Sequence, residues 1–341
     1  MGTKTLKIRS RKAIDLSASA VVRTRLLNDH RLPLVVEPEA PDLEAVAWAQ
    51  QNRPWVEDRL SSHGGVLFRR FDLGSIAEFE RFARALCSDL YSEYGDLPRE
   101  QEGKQVYQST PYPADQRILF HNEAAHTPCW PMRQLFYSVV VAQKGGETPI
   151  VDCRAMYEAL PCEIRSLFAD KGLLYVRHFV DGFDVSWQDF FSTESRAEVE
   201  KICRENGTAC EWTREGFLRT SQSGPGTARH PRTGDHVFFN QIQLHHPACL
   251  SAGLRRSLAD LFGVERLPRN VSFGDGTPID DAIVEVVNGL YDQLAVSFPW
   301  EQGDVLMVDN MLTAHSRNTF VGPRKVAVAM GEICRREDLE S

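Results

Sequence analysis

His121 and Glu123 stand two residues apart in RILFHNEAAH. Side chains alternate along an extended strand, so residues i and i+2 share a face. On a helix the same spacing would turn them about 200° apart, at roughly 100° per residue. The preceding RILF suits a strand, so both side chains can reach one cation. An imidazole and a carboxylate offer nitrogen and oxygen donors to a borderline divalent ion. Two ligands call for a third, and His315 in DVLMVDNMLTAHSRNTF is the strongest candidate. It follows a strand opened by Gln302-Gly303-Asp304 and is expected just past that strand's end. Asp309, Asn310, Arg317 and Asn318 form a polar cluster around it. Two histidines and one carboxylate on one face of an ion leave three open positions, the arrangement of non-haem Fe(II) oxygenases. The same donors also suit a zinc hydrolase.

Other histidines compete for the third place. His126 lies in the same segment, His230 in TARHPRTG, and His245 and His246 are adjacent. Successive strand side chains oppose each other, so the adjacent pair cannot easily share an ion. Core or supporting hydrogen bonds are the expected role of all four. The open positions would admit a bidentate oxo acid and O2. 2-Oxoglutarate chelates iron through its C1 carboxylate and C2 ketone, and its distal carboxylate then needs a cation. Arginine binds a carboxylate through a planar fork and stays charged. Arg324 stands nine residues after His315, where a hairpin would return it towards the metal. Thr148 in GGETPIVD adds a hydroxyl. Arg317 and Lys325 are rivals for the same carboxylate.

These residues need elements to position them. A loop is expected over 32–42, entering a helix over 43–61 with Asp42 as N-cap. GGVLFRRF (64–71) reads as a strand. Residues 75–87 form an amphipathic helix capped by Ser75, with Ile76, Phe79, Phe82, Ala83 and Leu86 on one face. A polar loop runs from Tyr91 to about Gln116. Further strands are expected at 134–143, 173–179, 236–244, 304–310 and 325–333, and helices at 153–170, 252–262 and 280–294. Strands interrupted by helices, with no βαβ alternation, imply an antiparallel β core with helices outside. The 341 residues are read as a single domain, with no usable motif in the first 60.

Composition narrows the function classes. The net charge of −8 argues against nucleic acid as a partner, since such proteins carry a basic excess or stripe. The one basic cluster, Lys4 to Lys12, reads as a solvated terminus. No run approaches the roughly 18 apolar residues of a membrane span, and no apolar stretch follows the basic N-terminus as in a secretory signal. The eight scattered cysteines contain no C-x-x-C pair, which points to a reducing cytoplasm rather than a disulfide framework.

Several segments carry a resemblance: GGVLFRRF, STPYPADQRILFHNEAAHTPCWP, GGETPIVDCR, ARHPRTGDHVFFNQ, FGDGTPID and GDVLMVDNMLTAHSRNTFVGPRKVAVAM. In that order the chain resembles the taurine dioxygenase and clavaminate synthase-like superfamily of Fe(II)/2-oxoglutarate oxygenases. It is similar in particular to the natural-product branch of syringomycin-type amino-acid hydroxylases. The resemblance implies His121, Glu123 and His315 as iron ligands, and Thr148 and Arg324 as the clamp on 2-oxoglutarate. It implies a mainly β fold with flanking helices around a double-stranded β-helix, a jelly-roll relative of cupins. Two departures stand out. Ser316 replaces the glycine that some relatives have after the distal histidine, and some place the clamp arginine further along the last strand. Halogenating relatives replace the carboxylate ligand with a small residue. Glu123 is retained, so hydroxylation of a C–H bond is favoured, with release of succinate and CO2. Desaturation, epoxidation, ring formation and a non-catalytic cupin-like binding role are the alternatives. An amino acid or its derivative is the implied substrate, free or tethered to a carrier protein. A carrier would need a basic patch such as Arg69 and Arg70. Ser109, Thr110, Asn122, Arg229, Asn240 and Gln241 are the candidate substrate contacts, although Asn122 alternates away from the triad face.

Overall fold

The computed structural model describes residues 21–27, 30–40, 42–91, 103–109, 112–180, 185–214 and 216–339. The basic N-terminal cluster, Thr110 and much of the polar loop after Tyr91 lie outside these residues.

Two antiparallel sheets carry the site. The larger has seven strands in the spatial order Val22–Leu27, His30–Pro38, Gly65–Phe68, Val305–Asp309, Cys129–Val140, Lys325–Arg335 and Tyr107–Gln108. Only the pairing of His30–Pro38 with Gly65–Phe68 is parallel. The smaller sheet has Thr313–Arg317 between Ile118–His121 and Ile150–Asp152. Alternation along Cys129–Val140 gives the larger sheet two apolar faces. Leu135 and Tyr137 point outward, against Phe79 and Phe82 of the helix Ile76–Leu86 and Trp48 of the helix Ala45–His63. Phe136 points inward, into a core shared with Leu306, Val308, Val328 and Ile150 of the smaller sheet. A separate four-stranded sheet, centred on Leu173–Phe179 and Leu218–Gly224, stands beside them.

Several elements depart from the sequence reading for local reasons. Residues 30–38 form a strand rather than a loop. Pro33 and Pro38 disguise it, but Leu34, Val35 and Val36 are buried in the sheet. The first long helix is capped by Glu44 and not Asp42. Its carboxylate accepts from the backbone N–H groups of Val46 at 3.3 Å and Ala47 at 2.7 Å. Pro161 divides the expected helix over 153–170 into Cys153–Ala159 and Cys162–Lys171. The expected strand over 236–244 stops after Val237, and Ile242–His245 is a short helix. Asn240 Oδ1 accepts from Ile242 N–H at 3.1 Å, a local bond that turns the chain. Ser75 caps its helix as expected, accepting from Glu78 N–H at 3.2 Å.

The crossing from the larger to the smaller sheet falls at Asp309, which is fully buried. Its Oδ1 accepts from the N–H groups of Met311 at 3.0 Å and Leu312 at 3.2 Å. Its Oδ2 pairs with Arg133 and lies 3.2 Å from His230 Nε2. Burial alone would raise the Asp309 pKa. The Arg133 charge and the His230 contact outweigh burial and hold it at about 2, below its ordinary 3.8. Breaking one partner of a buried pair costs about 3–5 kcal/mol. Asp309→Asn should therefore lose stability on that scale in urea unfolding at neutral pH, and a loss under about 1 kcal/mol would contradict this account. The sign with pH follows from the lowered value. The wild-type advantage should be full above the ordinary carboxylate range and should fade as pH falls towards 2.

Candidate metal centre

His121 ends the strand Ile118–His121, and His315 sits directly opposite it on Thr313–Arg317. Their ring centroids are 4.3 Å apart. His315 thus lies past the end of the Val305–Asp309 strand, as expected, and within a new strand that the turn at 309–312 starts. His121 Nδ1 lies 2.9 Å from the Leu119 carbonyl. That carbonyl can only accept, so Nδ1 is the donor of this bond, and Nε2 is the nitrogen left to serve a metal. Burial and the neighbouring His121 push the His315 pKa well below its ordinary value, so its ring is neutral. His315 Nδ1 is enclosed and has no hydrogen-bond partner among the described residues.

Glu123 reaches the same place by another route. The strand stops at His121, so strand alternation does not position Glu123, which stands in the following turn. Asn310 positions it. Its Oδ1 accepts from Glu123 N–H at 2.7 Å, and its Nδ2 donates to the Glu123 carbonyl at 2.9 Å. Gln134 Nε2 donates to Glu123 Oε2 at 3.1 Å. One ligand atom each from His121, Glu123 and His315 lie within 4.8 Å of one another. Two imidazoles and a carboxylate whose ligand atoms lie this close together fit a divalent cation.

The segment 145–150 runs antiparallel beside 315–320. Ser316 N–H donates to the Pro149 carbonyl at 2.9 Å and Asn318 N–H to the Glu147 carbonyl at 3.1 Å. The hairpin then returns Arg324, whose Nε donates to the Gly146 carbonyl at 2.8 Å. Its two terminal nitrogens make no hydrogen bond among the described residues. Burial first, then the nearby Arg317 charge, pushes its pKa down to about 10, against the opposing pull of Glu147. A half-buried cation under that pressure is suited to receiving an anion. Thr148, two residues beyond Gly146, is buried. The rival Arg317 is committed to the carbonyls of Tyr112, Pro113 and Gln116 at 2.9, 2.6 and 2.6 Å. Lys325 pairs along its strand with Val140.

The candidate substrate contacts need correction. Asn122 is wholly enclosed. It donates to the Asn310 carbonyl at 2.7 Å and accepts from Asn240 N–H at 3.3 Å. Asn240 donates to the Gly226 carbonyl at 2.8 Å, and Gln241 to the Asn122 carbonyl at 2.8 Å. These hydrogen bonds tie the three residues to one another and to the backbone beside the ligand turn. Arg229 is exposed and donates to the Gly234 carbonyl at 3.1 Å, bracing its own turn. Ser109 is half-buried at the end of the edge strand Tyr107–Gln108. Thr110 lies outside the described residues. The competing histidines are held elsewhere: His230 by Asp309, His245 by the Gln241 carbonyl at 3.1 Å, and His246 by the Ile279 carbonyl at 3.1 Å. His126 packs 5.2 Å from the His245 ring and 5.8 Å from the Tyr175 ring. Sequence reasoning placed Asn310 in a polar cluster but missed its grip on Glu123, and it missed Gln134 altogether. One signal for Gln134 was an amide between Met132 and Phe136 on the inward face of a mostly apolar strand.

Residues 29–330 match the profile of the family described as taurine catabolism dioxygenase TauD, TfdA family. The chain belongs to this family. It is an Fe(II)- and 2-oxoglutarate-dependent dioxygenase that uses O2. The chain is 38% identical over 276 residues to the dapdiamide synthesis protein DdaC of Enterobacter agglomerans, covering 81% of this chain and 84% of that one. It is 28% identical over 318 residues to a clavaminate synthase-like protein of Arabidopsis thaliana, covering 87% and 93%. The solved structure of PvcB from Pseudomonas aeruginosa, described as an Fe, alpha-ketoglutarate dependent oxygenase from an isonitrile synthetic pathway, has the same fold. It matches with a TM-score of 0.56 at 15% identity, covering 98% of each chain. The family dioxygenase has the jelly-roll core that the sequence resemblance implied. No helix among the described residues is long and apolar enough to cross a membrane.

Replacing His315 by Ala should leave far-UV circular dichroism unchanged and lower Mn(II) affinity at least about 100-fold by calorimetry, the scale on which a lost ligand outweighs a lost supporting contact. Wild-type affinity in the folded variant would remove His315 from the metal centre.

Proposed function

We propose that this dioxygenase hydroxylates an unactivated C–H bond of an amino acid or amino-acid-derived small molecule, within a natural-product pathway. In this reading His121, Glu123 and His315 hold the iron, and Thr148 and Arg324 hold the distal carboxylate of 2-oxoglutarate. The observation that carries it is the convergence of three ligand atoms within 4.8 Å, together with an arginine anchored on the Gly146 carbonyl whose fork is uncommitted among the described residues. When bound, the iron and co-substrate supply the oxidising power, releasing succinate and CO2. The protein's own part is to present three ligands on one face, orient the co-substrate and keep the site dry.

Retention of Glu123 supports oxygenation over halogenation, because its side chain fills the position a halide would take. The likeness to DdaC and to the clavaminate synthase-like protein supports a natural-product substrate. Arg69 gives little to a carrier protein. It forms a buried pair with Asp304, at 2.7 Å, and reaches Glu301 at 3.1 Å. Arg70 stands between Glu37 at 3.5 Å and Glu301 at 3.7 Å. These two arginines are neutralised in place, which favours a free small molecule. All eight cysteines are free thiols, in keeping with a cytoplasmic enzyme.

Succinate release should depend on Fe(II) and rise with the right member of a panel of free and carrier-bound amino acids, and the product should gain one oxygen atom. Failure of the purified protein to bind 2-oxoglutarate in the presence of Fe(II) would end this reading. A product lacking two hydrogens would replace hydroxylation with desaturation. Arg324→Gln should raise the KM for 2-oxoglutarate about 30-fold, since hydrogen bonds to a charged group are worth about 2 kcal/mol. An unchanged KM would move the clamp elsewhere.

A further inference from the structure

Gln134 is 1% exposed and lies on the inner face of the Cys129–Val140 strand. Val308 and Met330 flank it in register on the two neighbouring strands. Two residues along the same face, the Phe136 ring sits 4.9 Å from the His315 ring. One strand face therefore touches two of the three candidate ligands. The amide of Gln134 is oriented by chemistry: a carboxylate only accepts, so the nitrogen must be the end facing Glu123 Oε2 at 3.1 Å. The other end, Oε1, is enclosed and has no hydrogen-bond partner among the described residues. It lies about 2.2 Å from the nitrogen that donates to Glu123. A buried acceptor without a donor costs about 1–3 kcal/mol. Such a group is tolerated where a donor arrives with a ligand.

We propose that Gln134 is a positioning residue of the metal centre: its N–H holds Glu123 Oε2 so that the carboxylate would present one oxygen to the ion, and its carbonyl would accept from a donor that arrives with the ion. This rests on the functional reading above. A carboxylate free to rotate could bind through both oxygens and occupy one of the three positions needed for co-substrate and O2. The Gln134 N–H opposes that rotation with a charge-assisted bond inside an apolar core. Asn310 fixes the Glu123 backbone, and Gln134 fixes the end of its side chain.

The test uses full-length protein, Mn(II) and 2-oxoglutarate, with Gln134→Leu and Gln134→Met as separate apolar replacements. Two variants are made so that misfolding of one leaves the other informative. Far-UV circular dichroism and thermal unfolding check each fold. Calorimetry gives Mn(II) affinity, and the anaerobic Fe(II)–2-oxoglutarate complex gives a visible charge-transfer band that reports ligand geometry. The expected result is a loss of Mn(II) affinity of about 10-fold or more, the range for supporting partners of metal ligands, with a displaced charge-transfer band. Folded variants that bind Mn(II) within twofold of wild type and keep the wild-type band would overturn the role of Gln134. Wild-type protein that binds neither Mn(II) nor 2-oxoglutarate would overturn the functional reading as well.

Discussion

The structure depends most on the buried carboxylate of Asp309. It stands where the chain leaves the seven-stranded sheet for the three-stranded one, and all of its acceptor capacity is directed to that crossing. One oxygen holds the N–H groups of Met311 and Leu312. The other takes Arg133 and His230. A carboxylate without partners in such a place would be costly to enclose. With them, it fixes where the Thr313–Arg317 strand begins, and so which way His315 faces. The next residue, Asn310, extends the same turn to Glu123. Two of the three candidate ligands are thereby placed by adjacent residues of one turn, and the third, His121, is placed by its register opposite His315.

Around that turn the site is layered by chemistry. The ligand atoms face a common point between the sheets. Behind them, side-chain amides bond to backbone groups: Asn122 donates to the Asn310 carbonyl and accepts from the Asn240 N–H, and Gln241 donates to the Asn122 carbonyl. Every such bond removes a way for the ligand turn to relax, which is how a rigid scaffold keeps three donors on one face of an ion. At the other end, Arg324 is held by one nitrogen on the Gly146 carbonyl, leaving its fork open. In the proposed reading this open fork receives the co-substrate, a molecule consumed at each turnover.

The sequence made the metal end legible and much of the rest less so. The grouping of His121, Glu123 and His315 was readable because their residue types and order allow few other chemistries, and the family segments fell in the same order. The reason given for Glu123 was incomplete, since alternation on a strand does not reach it and a long-range amide does. Amphipathic segments such as Ile76–Leu86 were legible from local spacing. The strand over 30–38 was not, because its prolines resemble a loop while its burial depends on strands distant in sequence. The stretch after Val237 misled in the opposite sense: its residues favour a strand, and the Asn240 side chain turns the backbone instead. The proposed substrate contacts Asn122, Asn240 and Gln241 were misjudged because polarity in a matched segment says nothing about which way a side chain faces.

The account's central claim is that one ion is held by His121, Glu123 and His315. Anomalous diffraction from crystals of the full-length protein grown with Mn(II) and 2-oxoglutarate addresses it directly. The account predicts a single strong anomalous peak within bonding distance of those three side chains, with the distal carboxylate of 2-oxoglutarate on Arg324. A peak at the His126 and His245 rings, or an ion lacking any one of the three ligands, would contradict it.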